Sequence, residues 1–331
     1  MFKAINSQSG EEIIILQPRW VGQTAYLRSL DKKDILICQE CRQPVRVRAG
    51  PIRRWHFAHK HLQNCPLDRE SPALLKTRAI IYEWLVSKFG ESVTLEKKCG
   101  ERLPRSVDCW VERESGSFAY WIIESRIKPA ERENLKTVLA QIAASTNWVF
   151  VSNMLHEDED KPDHILLTTT EREFMQSSEY DEMIQATPFT PGHSLHYLDP
   201  ANQVLTTFRG LHLIHEPQLY GGHKEMHEIA LVLVSPKTGE FVHPGEPERL
   251  QNYRQEKQRL EERRREEQRR ALERQIAISQ KQDSETQQGY ATSYVREATC
   301  MICGNKTTSW WYFNGRTGMC KCKDCRREGK T

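Results

Sequence analysis

The chain has 331 residues, of which 38% are hydrophobic and 28% are charged, and its formal net charge is only +3 at pH 7. This length predicts two or three domains, and the small net charge excludes a polycation that binds nucleic acid through overall charge alone. There is no apolar N-terminal segment and no apolar run approaching about 18 residues, so we expect a cytoplasmic protein with no membrane partner.

The first 68 residues predict a small module with short strands, among them residues 13–16 and 25–27, around a metal site. A C-x2-C pair is followed by a histidine after 17 residues and by a cysteine after five more. Such a pair supplies two of the four tetrahedral ligands of Zn²⁺ from one tight turn. We therefore predict a structural Cys₃His zinc site, with His56 as the alternative to His59. Its ligands are Cys38, Cys41, His59 and Cys65.

A basic patch lies in the same module. Between residues 42 and 60 there are six Lys and Arg residues, one Trp and no acidic residue. Cations can hold phosphates and an aromatic ring can stack on a base, which predicts contact with nucleic acid. The alternative is a solvated basic face whose Trp belongs to the core. The candidate nucleic-acid-binding residues are Arg46, Arg48, Arg53, Arg54, Trp55 and Lys60.

Residues 69–156 predict a mixed α/β core. Ser71 and Pro72 are typical of a helix N-cap and first turn, and Gly90 is typical of a helix end. Apolar periodicity between and after them predicts the order helix, three strands, helix, strand. The predicted elements are a helix at 73–89, strands at 93–97, 107–111 and 118–123, a helix at 130–145 and a strand at 148–151.

Two carboxylates of the hairpin could form a second, catalytic metal site. Asp108 lies on its first strand, and Glu124 and Arg126 follow its second strand. Alternation along an extended chain would place Glu124 and Arg126 on one side. Mg²⁺ prefers oxygen ligands, and a neighbouring cation can stabilise charge on a phosphate. The competing interpretation is a strand-end carboxylate and a surface ion pair.

The segment from residue 30 to residue 152 resembles a known family. Its motifs are CQEC from Cys38, HFAH from His56, Cys65 and the run Arg69-Glu70-Ser71. They are similar to the zinc-binding start of the competence protein CoiA-like family, and the following element order resembles the PD-(D/E)XK nuclease core.

This resemblance implies a DNA nuclease that uses Mg²⁺ or Mn²⁺. It assigns catalytic roles to Asp108, Glu124, Arg126 and Glu70. Two positions depart from the pattern, because Arg126 stands in place of the usual lysine and Leu74 near the place of a histidine. Arginine cannot act as a base, so the alternative function is a non-catalytic zinc protein that binds nucleic acid or acts as an adaptor.

The second half of the chain predicts four further segments. Residues 157–245 have the pattern of a β-rich domain, and residues 246–275 carry ten Lys or Arg and eight Glu, which is typical of an exposed helix. This helix or the C-terminal segment could bind a protein partner. The six expected segments are 1–68, 69–156, 157–245, 246–284, a flexible linker at 285–299 and 300–331.

The C-terminal segment predicts a zinc ribbon. Two C-x2-C pairs are separated by 18 residues, which matches the pattern of a four-cysteine zinc site. Cys320 is a possible replacement for Cys322. The predicted ligands are Cys300, Cys303, Cys322 and Cys325, so that two zinc ions are expected in the whole chain.

Overall fold

The computed structural model describes residues 1–50, 54–61, 64–68, 70–184, 192–215, 218–293, 297–314, 316–317 and 319–329. The chain divides into two units, Met1–Tyr253 and Arg254–Thr331. The predicted core and the strands expected between 157 and 245 lie together in the first unit.

The N-terminal module contains three short strands, a helix and a hairpin. Its elements are β1 (Lys3–Asn6), β2 (Glu12–Ile14), α1 (Thr24–Lys32), β3 (Leu36–Ile37), β4 (Val45–Arg48) and β5 (His56–His59). The strand expected at 25–27 is wrong, because these residues lie in α1. Leu27 and Leu30 are its buried residues, and their spacing of three places them on one face of a helix.

The core has the order of elements that its pattern predicts. These are α2 (Pro72–Phe89), β6 (Val93–Lys97), β7 (Val107–Val111), β8 (Phe118–Ile123), α3 (Pro129–Ile142) and β9 (Ser145–Val151). Ser71 caps α2 by accepting a hydrogen bond from the Leu74 N–H at 3.0 Å, and Gly90 ends it with a φ of 59°. Each end of α2 is therefore formed by a residue type that favours that position.

Strand β8 is buried on both faces between α2 and α3. It pairs antiparallel with β7 and parallel with β9, and α3 makes the crossover between β8 and β9. Tyr120 and Ile122 belong to the apolar cluster that includes α2 residues, whereas Trp121 and Ile123 belong to the cluster that includes α3 residues. Burial on both faces explains why β8 is a continuous apolar run.

The following strands extend the same sheet. The elements are β10 (Glu157–Asp158), β11 (Lys161–Leu166), α4 (Thr169–Glu173), α5 (Glu179–Ile184), β12 (His193–Asp199), β13 (Val204–His215), β14 (Leu219–Glu228), β15 (Leu233–Val234) and β16 (Phe241–Val242). Nine of the described strands are ordered β10-β11-β14-β13-β12-β9-β8-β7-β6. Residues 157–245 are thus rich in strands, and their division from the core stays a prediction.

The charged helix, α6 (Glu246–Ser293), has 48 residues, which gives a length of about 70 Å. It continues beyond its expected end at residue 284, so residues 285–293 of the expected linker are helical. Its first residue is fixed, because Arg209 donates a hydrogen bond to Glu246 at 3.1 Å and both are buried. Among the helices of the described ranges, none has the length and apolarity needed to cross a membrane.

The C-terminal segment forms a small sheet that ends in a short helix. Its elements are β17 (Ala298–Cys300), β18 (Lys306–Thr307), β19 (Trp310–Asn314), β20 (Met319–Cys322) and α7 (Lys323–Arg327). The strand order is β18-β17-β20-β19. Its core consists of Ala298 and four buried cysteines, against which Ile302 and Trp310 pack. So small an apolar core is typical of segments that a bound metal stabilises.

Candidate functional site

The N-terminal cluster brings together all four predicted ligands. The ligand atoms of Cys38, Cys41, His59 and Cys65 lie within 4.8 Å of one another. The Sγ atoms of Cys38 and Cys65 are 3.9 Å apart, and Cys41 Sγ is 3.2 Å from His59 Nε2. Tetrahedral Zn²⁺ places its sulfur and nitrogen ligands about 3.5–3.8 Å apart, so the set fits this ion. His59 is the histidine of the cluster, whereas His56 lies on the opposite face of β5.

Asp68 orients the histidine ligand. Its Oδ1 accepts a hydrogen bond from His59 Nδ1 at 3.0 Å, which leaves Nε2 directed at the cysteines. A carboxylate in this position fixes the ring and makes it a better ligand. Burial raises the pKa of Cys65 to about 11, so a thiolate there needs the positive charge of a metal.

The C-terminal cluster has the same geometry with four cysteines. The Sγ atoms of Cys300 and Cys325 are 3.9 Å apart, and those of Cys303 and Cys322 are 3.8 Å apart. Backbone N–H groups also donate to sulfur, as that of Cys322 does to Cys300 Sγ at 3.3 Å. Cys320 is outside the group and bonds to a backbone carbonyl, so Cys322 is the member of this set.

A buried arginine organises the acidic residues of the core. The Arg78 guanidinium on α2 contacts Asp108 at 2.7 Å, Glu96 at 2.8 Å and Glu70 at 2.5 Å. All four side chains are almost fully buried. We call Arg78, Glu70, Glu96 and Asp108 the buried charge cluster. Such a cluster is satisfied only while the cation and its hydrogen bonds are in place.

Asp108 has its carboxylate oxygens occupied by protein donors. Oδ1 accepts from Arg78 Nε and from Arg105 Nη1, each at 2.7 Å, and Oδ2 accepts from the Ile122 N–H at 2.7 Å. Its exposed fraction is 0%. The two cations supply the positive charge that a divalent ion would otherwise bring to this carboxylate.

Glu70 and Glu96 are held in the cluster in different ways. Burial tends to raise the pKa of Glu70, but the charges of Arg78 and the Met1 ammonium outweigh burial and lower the pKa to about 2. Glu96 has a φ of 50° and interrupts the pairing of β6 with β7. This local distortion places its carboxylate on Arg78 and on the backbone N–H groups of Phe2 and Lys3.

Glu124 and Arg126 line different cavities. Strand β8 ends at Ile123, so the alternation of an extended strand does not continue to Arg126. Glu124 is half-buried, accepts a hydrogen bond from the Ser71 hydroxyl and lines a cavity of about 280 Å³ with Glu70, Arg105 and Glu131. Arg126 is exposed and lines a separate cavity of about 500 Å³. Among the described residues, the two cysteine clusters are the groups with metal-ligand geometry.

A larger basic cavity of about 820 Å³ lies beside the N-terminal Cys₃His cluster. In β4 and β5, apolar Val45, Val47 and Phe57 face inward, and the alternate residues face outward. Trp55 is half-buried and packs against the apolar core, and Arg53 lies outside the described residues. The Lys and Arg residues that line this basic cavity, together with His56 of β5, are Arg46, Arg48, Arg54, Lys60 and Lys76.

Residues 22–68 match the family model for the N-terminal domain of the competence protein CoiA. The match supports the resemblance over this segment, which contains the N-terminal Cys₃His cluster and the β4–β5 hairpin. No curated protein and no solved structure matches the chain. The match to the CoiA N-terminal domain and the metal-binding clusters are compatible with a zinc protein related to nucleic acids.

The C-terminal cluster carries exposed aromatic residues in addition to its core. Trp310 packs against the cysteines, whereas Trp311 and Tyr312 have exposed fractions of 41% and 46%. Arg326 lies 5.0 Å and Lys321 lies 5.5 Å from the centre of the Trp311 ring. These two aromatic side chains are therefore not needed to form the core of the ribbon.

Sequence reasoning named Asp108 and Glu70 but missed Arg78, Glu96 and Asp68. Arg78 stands at helical spacing with Leu74, Ile81 and Leu85, all of which are buried on α2. A charged residue within an apolar helix face is the signal that could have identified it. Glu96 gave no such signal, because its direction depends on a positive φ within a strand.

Proposed function

We propose that the chain is a zinc-containing protein that binds nucleic acid and does not cleave it. The observation that carries this proposal is Arg78, which contacts Glu70, Glu96 and Asp108 in the core. A divalent cation that binds these carboxylates would have to displace the fully buried guanidinium of Arg78 and break the hydrogen bonds that it donates. Both changes are costly in a low-dielectric interior.

Nucleic acid would bind outside the core. Arg46 and Arg48 project from the outward face of β4, where the cross-strand neighbours are Ala58 and His56. Cations on such a surface attract phosphates and make the affinity depend on salt. The exposed Trp311 and Tyr312, with cations close to Trp311, suit a second contact in which bases stack on aromatic rings.

A cleavage assay that also measures binding tests the proposal. Labelled single- and double-stranded DNA is incubated with the protein and with Mg²⁺ or Mn²⁺. We expect salt-dependent binding and no metal-dependent cleavage above the level of an Asp108→Ala variant. Cleavage that requires Asp108 would refute the proposal, because the buried carboxylate would then act on a metal.

The second candidate function is a metal-dependent nuclease. The observation in its favour is the cavity lined by Glu70, Glu124 and Glu131 together with Arg105. Carboxylate oxygens are suitable Mg²⁺ ligands, and arginine can bind a phosphate. This function predicts that Glu124→Ala abolishes cleavage but preserves DNA binding. Arg126→Ala is the matched control and should leave cleavage unchanged, because Arg126 lines another cavity.

We also propose that α6 serves as a spacer and offers its charged surface to a protein partner. The side chains of α6 from residue 254 to residue 279 are exposed, so they are accessible to a partner. None of the ten cysteines forms a disulfide in the structure, which suits a reducing cytoplasm. Deletion of residues 254–331 tests the partner role and should leave DNA binding by β4 in place.

A further inference from the structure

We propose that the basic cavity binds the terminal nucleotide of a nucleic-acid strand that ends in a phosphate monoester. This inference rests on the proposed nucleic-acid-binding function and specifies its ligand. The cavity volume of about 820 Å³ lies within the range of sites that enclose small molecules. A phosphate monoester carries about −1.5 to −2 charges near pH 7, more than an internal phosphodiester.

The cavity has three cations available for that charge. Arg46 and Arg48 belong to β4, and Lys76 belongs to α2. In the part of the chain that the structure describes, none of these three makes an ion pair with a carboxylate. Arg46 donates a hydrogen bond to a backbone carbonyl at 2.7 Å. Lys76 acts on Asp199 only at a distance: burial raises the pKa of Asp199, hydrogen bonds from the Ala201 and Asn202 region lower it, and the charge of Lys76 adds the smallest part of the lowering.

The other two cations of the cavity are already paired. Arg54 contacts Glu83 at 2.6 Å, and Lys60 contacts Asp34 at 2.7 Å. Arg54 and Lys60 line the cavity but already have carboxylate partners. Arg46, Arg48 and Lys76 are the groups that can form new charge-assisted hydrogen bonds with a ligand. His56 adds a ring to the same face of β5 and donates from Nδ1 to the Arg54 carbonyl at 2.9 Å.

The acidic residues of the cavity do not cancel this charge. Asp68 is engaged with His59 at 3.0 Å, and Glu70 is engaged with Arg78 at 2.5 Å. Glu70 shares Arg78 with the rest of the buried charge cluster and also contacts the Met1 ammonium at 3.0 Å. Both carboxylates of the cavity are thus held by other groups, whereas its three available cations are not held by a carboxylate among the described residues. An anion is the ligand that this arrangement favours.

The remaining wall can accommodate the sugar and base. Phe57, Leu67 and Leu75 supply apolar surface, and Ala58 stands opposite Arg46 in the β4–β5 pairing. The small side chain of Ala58 leaves room between the cations and this surface. A nucleotide, which combines a charged phosphate with a flat ring, matches a cavity that has both kinds of wall.

The test compares oligonucleotides of one sequence that differ only at their ends. Fluorescence anisotropy measures the binding of a strand with a 5′-phosphate, a strand with a 3′-phosphate and a strand with hydroxyl groups at both ends. We expect one phosphorylated strand to bind at least tenfold more tightly than the hydroxyl-ended strand. Arg48→Ala and Ala58→Phe should each remove this preference, the first by charge and the second by volume.

The control variant is Lys33→Ala, which removes one exposed positive charge from the same module but not from the cavity. It should keep the preference for the phosphorylated end. Equal binding of all three strands, with affinity that still falls with salt, would overturn the inference and leave the proposed function standing. No binding of any strand would refute the proposed function itself. A free nucleoside monophosphate that binds as tightly as the phosphorylated strand would also overturn the inference.

Discussion

Replacement of Arg78 by Met should destabilise the first unit by several kcal/mol at pH 7. The substitution leaves Glu70, Glu96 and Asp108 with exposed fractions of 4%, 1% and 0% for their side chains and without their shared cation. Removal of one partner from a buried ion pair costs about 3–5 kcal/mol. A typical domain is stable by about 5–15 kcal/mol, so the loss should be readily measurable.

The pKa of Glu70 gives an independent estimate of one part of this loss. Its lowering from 4.5 to about 2 corresponds to a stabilisation of about 3 kcal/mol. Because the pKa is lowered in the folded state, this stabilisation is present above about pH 4.5 and is lost as the pH falls towards 2. In Arg78→Met, Glu70 loses the charge that lowers its pKa most, so burial is opposed by less positive charge. The difference in stability between the two proteins should therefore shrink as the pH falls from 7 to 4.

Urea unfolding followed by tryptophan fluorescence at pH 7 and pH 4 measures these differences. Arg126→Met is the matched control, because Arg126 is exposed, and it should change the free energy of unfolding by less than about 0.5 kcal/mol. The double variant Arg78→Met with Asp108→Asn should recover part of the loss. A cost below about 1 kcal/mol for Arg78→Met, or the same cost at both pH values, would refute the role assigned to Arg78.

The metal clusters provide the other predictions. Protein purified without added metal should contain about two zinc ions, and Cys41→Ser or Cys322→Ser should each remove one of them, as elemental analysis can measure. Cys41→Ser should also lower the thermal stability of the first unit, whereas Cys322→Ser should leave its transition unchanged. His59→Ala should lose the N-terminal zinc and His56→Ala should keep it, and the reverse result would reassign the ligand. Asp68→Asn should weaken zinc binding about 10–100-fold in a chelator competition, and an unchanged affinity would contradict its orienting role.

Local signals were sufficient to predict the core elements and the members of the two clusters that could hold a metal ion. Ser71, Pro72 and Gly90 define the ends of α2 through their own backbone preferences, and the apolar runs correspond to β7, β8 and β9. The C-x2-C spacing similarly reflects the geometry of a turn that presents two sulfurs to one ion. These features are determined by residues close to one another in the sequence, so a local sequence pattern is enough to predict them.

Long-range contacts were not predictable in the same way. Arg78 meets Asp108 across 30 positions, and Glu96 reaches Arg78 through a backbone distortion that has no local sequence signal. The pairing of β12 with β9 likewise depends on a parallel contact between distant segments. Residues 25–27 belong to a helix that only a longer window reveals. Over Thr24–Lys32 the buried residues Leu27 and Leu30 have helical spacing, which the three apolar residues 25–27 alone do not show.

The salt dependence of DNA binding tests the central proposal most directly. The dissociation constant of a single-stranded DNA is measured between low and moderate salt for the wild type, for Arg46→Ala with Arg48→Ala, and for Lys33→Ala. We expect wild-type affinity to fall with salt, and the double variant to bind more weakly with a slope reduced by about 1–2, because each lost phosphate contact lowers it by about 0.7. Lys33→Ala should resemble the wild type. Wild-type affinity that does not change with salt, or a double variant with the wild-type slope, would contradict nucleic-acid binding by this surface.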